Sequence, residues 1–306
     1  MALKIIFMGT PNFAVPILKA IHESNHKILE VYTQPANKSG RGQKFNHSDI
    51  QNCAEQLNLS VRTPDTFEMI EEINHFKKLK PDLVVVVAYG KILPPRLLDI
   101  DKILFINVHA SLLPKWRGAA PIQRAIMNLD SETGISIMKI TRRLDAGPVM
   151  LKEKIKISKE MTHHDLSKKM SEIGAKLILD SIKLIENNKA NFIEQKELEA
   201  TYAKKIQKKE SKINWNESAK IIIAKINALY QNPGCWFELF DSRIKIIKAI
   251  EVKNSGEAGT ILDDKMTIAC EKNAIQILEL QKEGKKPMLV NEYLKGNVIK
   301  VGQKIN

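Results

Sequence analysis

Ile103-Leu104-Phe105-Ile106-Asn107-Val108-His109-Ala110-Ser111-Leu112-Leu113-Pro114-Lys115-Trp116-Arg117-Gly118-Ala119-Ala120-Pro121 is the stretch on which the fold turns. Its first four residues are apolar and read as a buried strand. Ile122-Gln123-Arg124-Ala125-Ile126-Met127 then reads as the start of a helix. Between them lie an amide, an imidazole, a hydroxyl, two cations, a Trp and two prolines, more chemistry than a plain connection needs. Residues two apart on a strand share a face, so Asn107 and His109 can address one reacting group together. In an open α/β sheet, ligands bind just beyond the carboxyl ends of the strands, where this pair falls.

Working outward, Lys4 to Met8 reads as a strand that Gly9-Thr10-Pro11-Asn12 turns into a helix from about Phe13 to Glu23. The turn lacks the G-x-G-x-x-G spacing, which removes the main support for a dinucleotide-binding dehydrogenase. Lys27 to Gln34 predicts a second strand, and Val61 lies near a short one. Helices are expected over His47 to Leu57 and Thr66 to Lys78. Asp82 to Ala88 is continuously apolar and β-branched, as a central parallel strand covered on both faces would be. Gly134 to Ile140 and Val149 to Ile157 alternate and predict strands. The loop between them carries Arg142-Arg143-Leu144-Asp145-Ala146-Gly147-Pro148. Thr162 to Asn187 predicts a long helix, with Thr162 and Asp165 as a capping box. His163 and His164 diverge around that helix and have no further ligand at metal spacing.

The 35–45 segment has no periodicity, three cations, two glycines and no acid, and is expected to be an exposed loop. Residues 191–209 lack regular apolar spacing and are expected to be a linker. A helix is predicted from Trp215 to Tyr230, ended by Asn232-Pro233-Gly234. Short strands follow at Cys235–Phe240, Arg243–Val252, Gly259–Leu262, Thr267–Cys270 and Ile275–Gln281, a pattern that suggests a small barrel of the oligonucleotide-binding type. Its aromatics are few, with Trp236, Phe237 and Phe240 bunched on one strand. The expected organisation is a doubly wound, mostly parallel α/β domain over 1–190, the linker, and a C-terminal β domain over 210–306.

The chain has 306 residues, 43% of them hydrophobic, and no apolar run long enough to span a bilayer. Cys53, Cys235 and Cys270 are scattered and show no CxxC, which fits reduced thiols in the cytoplasm. Net charge is +13, with 28 basic against 20 acidic residues in 1–190 and 20 against 15 beyond. An excess spread over both halves fits a polyanionic partner such as RNA, and equally a Lys-rich proteome.

Asn107, His109 and Asp145 form the candidate constellation. An amide and an imidazolium can donate to a developing oxyanion, and a carboxylate can orient the imidazole and favour its charged form. No nucleophile is implied, since Ser111 lacks a G-x-S-x-G setting. The set suits attack by a substrate amine on an acyl or formyl carbon. A structural histidine at a strand end is the other reading of these residues.

Asn107-Val108-His109-x-Ser111-Leu112-Leu113-Pro114 resembles the signature of folate-dependent formyltransferases, and Leu144-Asp145-Ala146-Gly147 resembles that family's aspartate loop. Gly9-Thr10-Pro11-Asn12-Phe13-Ala14, Val85-Val86-Val87-Ala88-Tyr89-Gly90 and Trp116 to Arg124 resemble the branch that formylates aminoacylated initiator tRNA. The likeness continues through Tyr202-Ala203-x-Lys205-Ile206 and Ile213-Asn214-Trp215 to Ala258-Gly259-Thr260-Ile261. Ala110 departs from a common Gly, and Asn232-Pro233-Gly234-Cys235 departs where the family usually has a Trp or second Pro.

The resemblance implies transfer of a formyl group from 10-formyltetrahydrofolate to the methionine amine of initiator Met-tRNA, without a metal. It implies Asn107, His109 and Asp145 as catalytic residues and Ser111, Leu112, Leu113 and Pro114 as the folate wall, with a cis Leu113–Pro114 bond. Arg41, supported by Lys38 and Lys44, would contact tRNA. A cytoplasmic monomer is expected. A UDP-amino-sugar formyltransferase, or a non-catalytic tRNA-binding protein on the same scaffold, are the rival readings.

Overall fold

The computed structural model describes residues 2–39 and 44–305. The chain divides into two compact units. The first comprises Met1–Gly118, Thr133–Ile155 and Ser167–Ala203; the second comprises Ala119–Glu132, Lys156–Leu166 and Lys204–Asn306. The second unit thus takes in two segments of the region expected to form the first domain.

The elements up to the long helix are β1 (Lys4–Gly9), α1 (Val15–His22), β2 (Lys27–Tyr32), β3 (Asn37–Ser39), β4 (Lys44–Asn46), α2 (Asp49–Gln56), β5 (Val61–Arg62), α3 (Ile70–Leu79), β6 (Leu83–Val87), α4 (Pro95–Leu98), β7 (Leu104–His109), β8 (Arg117–Gly118), α5 (Pro121–Met127), β9 (Glu132–Lys139), β10 (Val149–Lys156) and α6 (His163–Glu186). One seven-stranded sheet runs in the order β10-β9-β7-β6-β1-β2-β5. Its β5-β2-β1-β6-β7 portion is parallel, and β9 lies antiparallel to β7. From β1 the chain winds outward through β2 and β5, then crosses to β6 on the other side of β1. That reversal leaves a crevice at the carboxyl ends of β1 and β6, beside the end of β7.

All five residues of β6 are buried, as its unbroken apolar run predicts. One sheet face packs Ile6, Met8, Val84, Val86 and Phe105 against Ile73 and Phe76 of α3 and Leu97 of α4. The alternate residues face α1 and α6. Gly174 of α6 lies against Ile17 and Val108, leaving no slack for a larger side chain. Thr162 and Asp165 close the expected capping box at the start of α6: Thr162 N–H donates to Asp165 Oδ2 at 3.1 Å and Asp165 N–H to Thr162 Oγ1 at 3.2 Å.

The segment expected to be an irregular loop contains a paired hairpin. β3 and β4 are antiparallel, with Asn37 opposite Asn46 and Ser39 opposite Lys44. Short polar strands with no apolar alternation leave no periodic signal in the sequence.

The remaining elements are β11 (Tyr202–Ala203), α7 (Ala219–Ala228), β12 (Cys235–Leu239), β13 (Ser242–Val252), β14 (Thr267–Ala269), β15 (Ala274–Lys282), β16 (Met288–Leu289) and α8 (Val290–Lys295). The C-terminal sheet is antiparallel in the order β12-β13-β15-β14, with β16 on β15. Its core gathers Ile222 and Ile226 of α7, one turn apart, with Phe237, Ile244, Ile246 and Ile277; Trp215 meets Phe237 edge-on at 5.6 Å. Arg124 of α5 joins this unit through Glu210, at 2.6 and 3.1 Å.

Two expectations change here. The helix begins at Ala219 rather than Trp215, because Asn214 bends the chain first: its side-chain oxygen accepts from Asn216 N–H at 3.2 Å. Gly259–Leu262 forms single bridges, Thr260 to Lys304 and Ile261 to Ile268, and the fifth strand is β16 instead. Among the described residues no helix is long and apolar enough to cross a membrane.

Candidate active site

Asn107 and His109 stand on one face at the carboxyl end of β7, and β6 and β9 fix their register. Asn107 pairs with Val86 on one side and Met138 on the other, and His109 lies opposite Ser136. The Asn107 side chain is half-buried and has no hydrogen-bond partner among the described residues. His109 is 5% exposed. Its Nε2 lies 3.0 Å from the Trp116 carbonyl oxygen. A carbonyl only accepts, so Nε2 carries the proton and Nδ1 is the nitrogen left for chemistry. Nδ1 lies 3.8 Å from Asp145 Oδ2. The structure therefore brings His109 and Asp145 together at the carboxyl end of β7, with Asn107 two residues before His109 on the same strand face.

Asp145 sits in the loop between β9 and β10 in the left-handed region, at φ +46°. Its Oδ2 accepts from the Gly118 N–H at 2.8 Å. Gly147 holds this loop against β9: a β-carbon there would fall 1.9 Å from the Lys139 carbonyl oxygen, so only glycine fits.

The turn after His109 is tied down from several sides. Ser136 Oγ donates to the Ser111 carbonyl at 2.7 Å and accepts from Leu113 N–H at 3.1 Å. Ser111 Oγ donates to the Lys115 carbonyl. Lys152 Nζ donates to the Leu113 carbonyl, and burial pulls that ammonium below its usual range. The Leu113–Pro114 bond is cis. Ser111, Leu113 and Pro114 are buried within the turn, Leu113 against Met138 and Val149, whereas Leu112 is partly exposed. At the neighbouring strand ends, the Tyr89 carbonyl accepts from Thr10 Oγ1 at 2.8 Å and Gln34 Nε2 at 2.9 Å. That bond pair links the ends of β1, β2 and β6 and rims the crevice.

Of the expected tRNA contacts, Arg41 lies outside the described residues. The backbones of Lys38 and Lys44 belong to β3 and β4.

Arg117 is a participant that the sequence does not reveal. It is 1% exposed, with Nη1 3.1 Å from both Glu197 oxygens and Nε 3.1 Å from Gln195 Oε1. Arg143 also reaches Glu197, at 2.7 Å. The Arg117 hydrogen bond holds the Glu197 carboxyl below its usual range, with the charges of both arginines adding to it. β8 pairs in parallel with β11, and Thr201 caps the pair by accepting from Trp116 N–H at 2.9 Å. These partners lie some eighty positions from Arg117 in the chain, and no local pattern announces them.

Residues 3–182 match the formyl transferase family and residues 205–298 match the formyl transferase C-terminal domain. The methionyl-tRNA formyltransferase of Pelagibacter ubique (strain HTCC1062) is 50% identical over 307 residues, covering 100% of this chain and 99% of that protein. The methionyl-tRNA formyltransferase of Afipia carboxidovorans is 43% identical, with 97% of each chain covered. Among solved structures, HypX from Aquifex aeolicus in complex with tetrahydrofolic acid superimposes with a TM-score of 0.68 at 15% identity, over 96% of this chain and 47% of HypX. The sugar 3N-formyltransferase WlaRD superimposes with a TM-score of 0.67 at 20% identity, over 94% of this chain and all of WlaRD. These two share the fold. The relatives named above, matched from end to end, decide the kinship: the chain belongs to the methionyl-tRNA formyltransferase family.

Proposed function

We propose that this protein transfers the formyl group of 10-formyltetrahydrofolate to the methionine amine of initiator Met-tRNA, in the step that prepares the tRNA for translation initiation. The observation that carries the reading is the pairing of His109 Nδ1 with Asp145 Oδ2 at 3.8 Å, two residues beyond Asn107 on the same strand face, in a chain half identical to a relative that it matches from end to end. The folate co-substrate supplies the formyl carbon that the amine attacks. Asn107 Nδ2 donates to the formyl oxygen as negative charge develops on it. His109 Nδ1 takes the proton that the attacking amine gives up and passes it to the folate nitrogen as the bond from that nitrogen to the formyl carbon breaks and tetrahydrofolate leaves. Asp145 sets a negative charge opposite the imidazolium and keeps it in place. Donors fixed before the reaction stabilise charge without reorganising, which is worth more at a water-poor site. Holding both reactants in line removes much of the entropic barrier.

Ser111 to Pro114 form the folate wall in this reading, through the shape of the turn and the partly exposed Leu112. Arg41, with Lys38 and Lys44, contacts the acceptor end of the tRNA. The C-terminal region over 210–306 supports the tRNA backbone, and 191–209 connects the two domains. The deciding experiment is formyl transfer from 10-formyltetrahydrofolate to purified initiator Met-tRNA, with UDP-amino sugars as competing acceptors. Formyl-Met-tRNA as the product supports the reading; formylation of the sugar nucleotide alone would reject it.

A further inference from the structure

We propose that Gln195 is a positioning residue for Asp145, a role that rests on the reading of Asp145 as part of the catalytic set. Gln195 lies in the segment between the two family-matched regions. Its Nε2 donates to the carbonyl oxygens of Asp145 at 2.9 Å and Gly147 at 2.7 Å. Its Oε1 accepts from Arg117 Nε at 3.1 Å. Two carbonyls can only accept and a guanidinium can only donate, so the amide has a single workable orientation and all three of its bonds are committed.

The bonds close a ring around the site. His109 Nε2 is held by the Trp116 carbonyl, and the next N–H but one, that of Gly118, holds the Asp145 carboxylate. Arg117, between those two residues, grips Gln195, and Gln195 grips the backbone on both sides of Ala146. Asp145 is therefore fixed at its side chain and at its main chain, and both attachments trace to residues 116–118. The main-chain attachment matters because Asp145 occupies the left-handed region, which a non-glycine residue keeps only when its surroundings enforce it. Glu197 completes the support by pairing with the buried Arg117 guanidinium. Without the Gln195 donors, two carbonyls go unpaired, the loop relaxes, and Asp145 Oδ2 drifts from its place opposite His109. A shift of about 1 Å in such a group is enough to lower turnover about a hundredfold.

The test is a double-mutant cycle of Gln195→Ala with Asp145→Asn, read in single-turnover formyl transfer. Gln195→Glu serves as a second variant: it keeps the acceptor for Arg117 and loses both donors. Both Gln195 variants should lower kcat by about 10- to 100-fold. KM for either substrate should change little, and circular dichroism should be unaltered. In the Asp145→Asn background the further loss from Gln195→Ala should shrink to within about twofold, because the group being positioned is gone. Full activity of both Gln195 variants beside an inactive Asp145→Asn overturns the positioning role alone. An undiminished Gln195 effect in the Asp145→Asn background also overturns it. Near-normal turnover of Asp145→Asn by itself overturns the catalytic reading on which the proposal rests.

Discussion

The Gly118 N–H donates to Asp145 Oδ2 at 2.8 Å, and Gly118 does so at φ +115°, a backbone conformation that L side chains rarely adopt. A β-carbon at this position would lie 2.9 Å from the Ala203 carbonyl oxygen. Gly118→Ala therefore meets both strain and a clash, together about 1–3 kcal/mol. Relief requires β8 to move from β11 and to take the Asp145 donor with it. The expected result is a lower melting temperature together with a turnover loss of about a hundredfold. A variant that melts lower but turns over normally would separate the donor from the chemistry.

Asn107 and His109 differ in what they do for stability. Asn107 has no hydrogen-bond partner among the described residues, so Asn107→Ala should stay within about 0.5 kcal/mol of the parent. His109→Ala removes one hydrogen bond to a carbonyl and leaves a small void, and should destabilise modestly. Each should lower turnover by roughly 10²- to 10⁴-fold, the range for an oxyanion donor or a proton carrier. Measured together, melting curves and formyl transfer rates should show the decoupling. Retention of turnover in Asn107→Ala and His109→Ala would dismiss the site.

Much of this architecture was legible because the signals are local. The unbroken run in β6, the polar residues directly after β7 and the capping box of α6 each depend on residues within a few positions of one another. The ring through Arg117, Gln195 and Glu197 was not legible, because its bonds join residues some fifty to eighty positions apart. Buried and bonded to Gln195 and Glu197, Arg117 is the hub of the loop. The hairpin of β3 and β4 escaped for a different reason: Asn37-Lys38-Ser39 and Lys44-Phe45-Asn46 offer no apolar alternation to read.

The cysteines give a check on burial. All three are buried, and desolvation raises each thiol, Cys235 to about 12 and Cys270 to about 11. A raised thiol pKa leaves less thiolate at pH 8, and thiolate is the reactive form. Labelling of the native protein with a disulfide reagent at pH 8 should be slow at every cysteine and become rapid in denaturant. Prompt native labelling of Cys235 or Cys270 would contradict the packing of the C-terminal core.

Asp165 at the head of α6 supplies a pH dependence with a definite sign. Hydrogen bonds from Thr162 hold its carboxyl below the ordinary aspartate value of 3.8. A folded-state pKa below the unfolded one means that the contribution is fully present above about pH 4 and fades as pH falls through the lowered value. Thr162→Ala should cost about 1 kcal/mol at pH 7. The gap between parent and variant should narrow below pH 4, as seen in urea midpoints. A constant gap down to pH 2 would show that the carboxylate plays no part in the cap.

An engagement of tRNA that rests on charge is tested by salt. Trp236 lies on the outer face of β12 with the Arg243 guanidinium 4.2 Å and the Lys212 ammonium 5.6 Å from its ring. Phe237 turns inward and is fully buried, which leaves Trp236 on this strand and the exposed Phe240 in the turn just after it. Arg243→Ala removes a cation that both orders the indole and can neutralise a phosphate. Removing one cation that neutralises a phosphate should lower the slope of log affinity against log salt by roughly one. Arg243→Ala should thus weaken tRNA binding at low salt, flatten its salt dependence and leave the KM for the folate donor unchanged. Arg41→Ala should weaken tRNA use more strongly, again without affecting the donor. The two effects should add in a double variant, since cations that neutralise separate phosphates contribute independently. If Arg243→Ala leaves the salt slope of the parent intact, the outer face of β12 is not on the path of the RNA. Equal damage to donor and tRNA use in Arg41→Ala would assign that arginine to the surroundings of the donor instead.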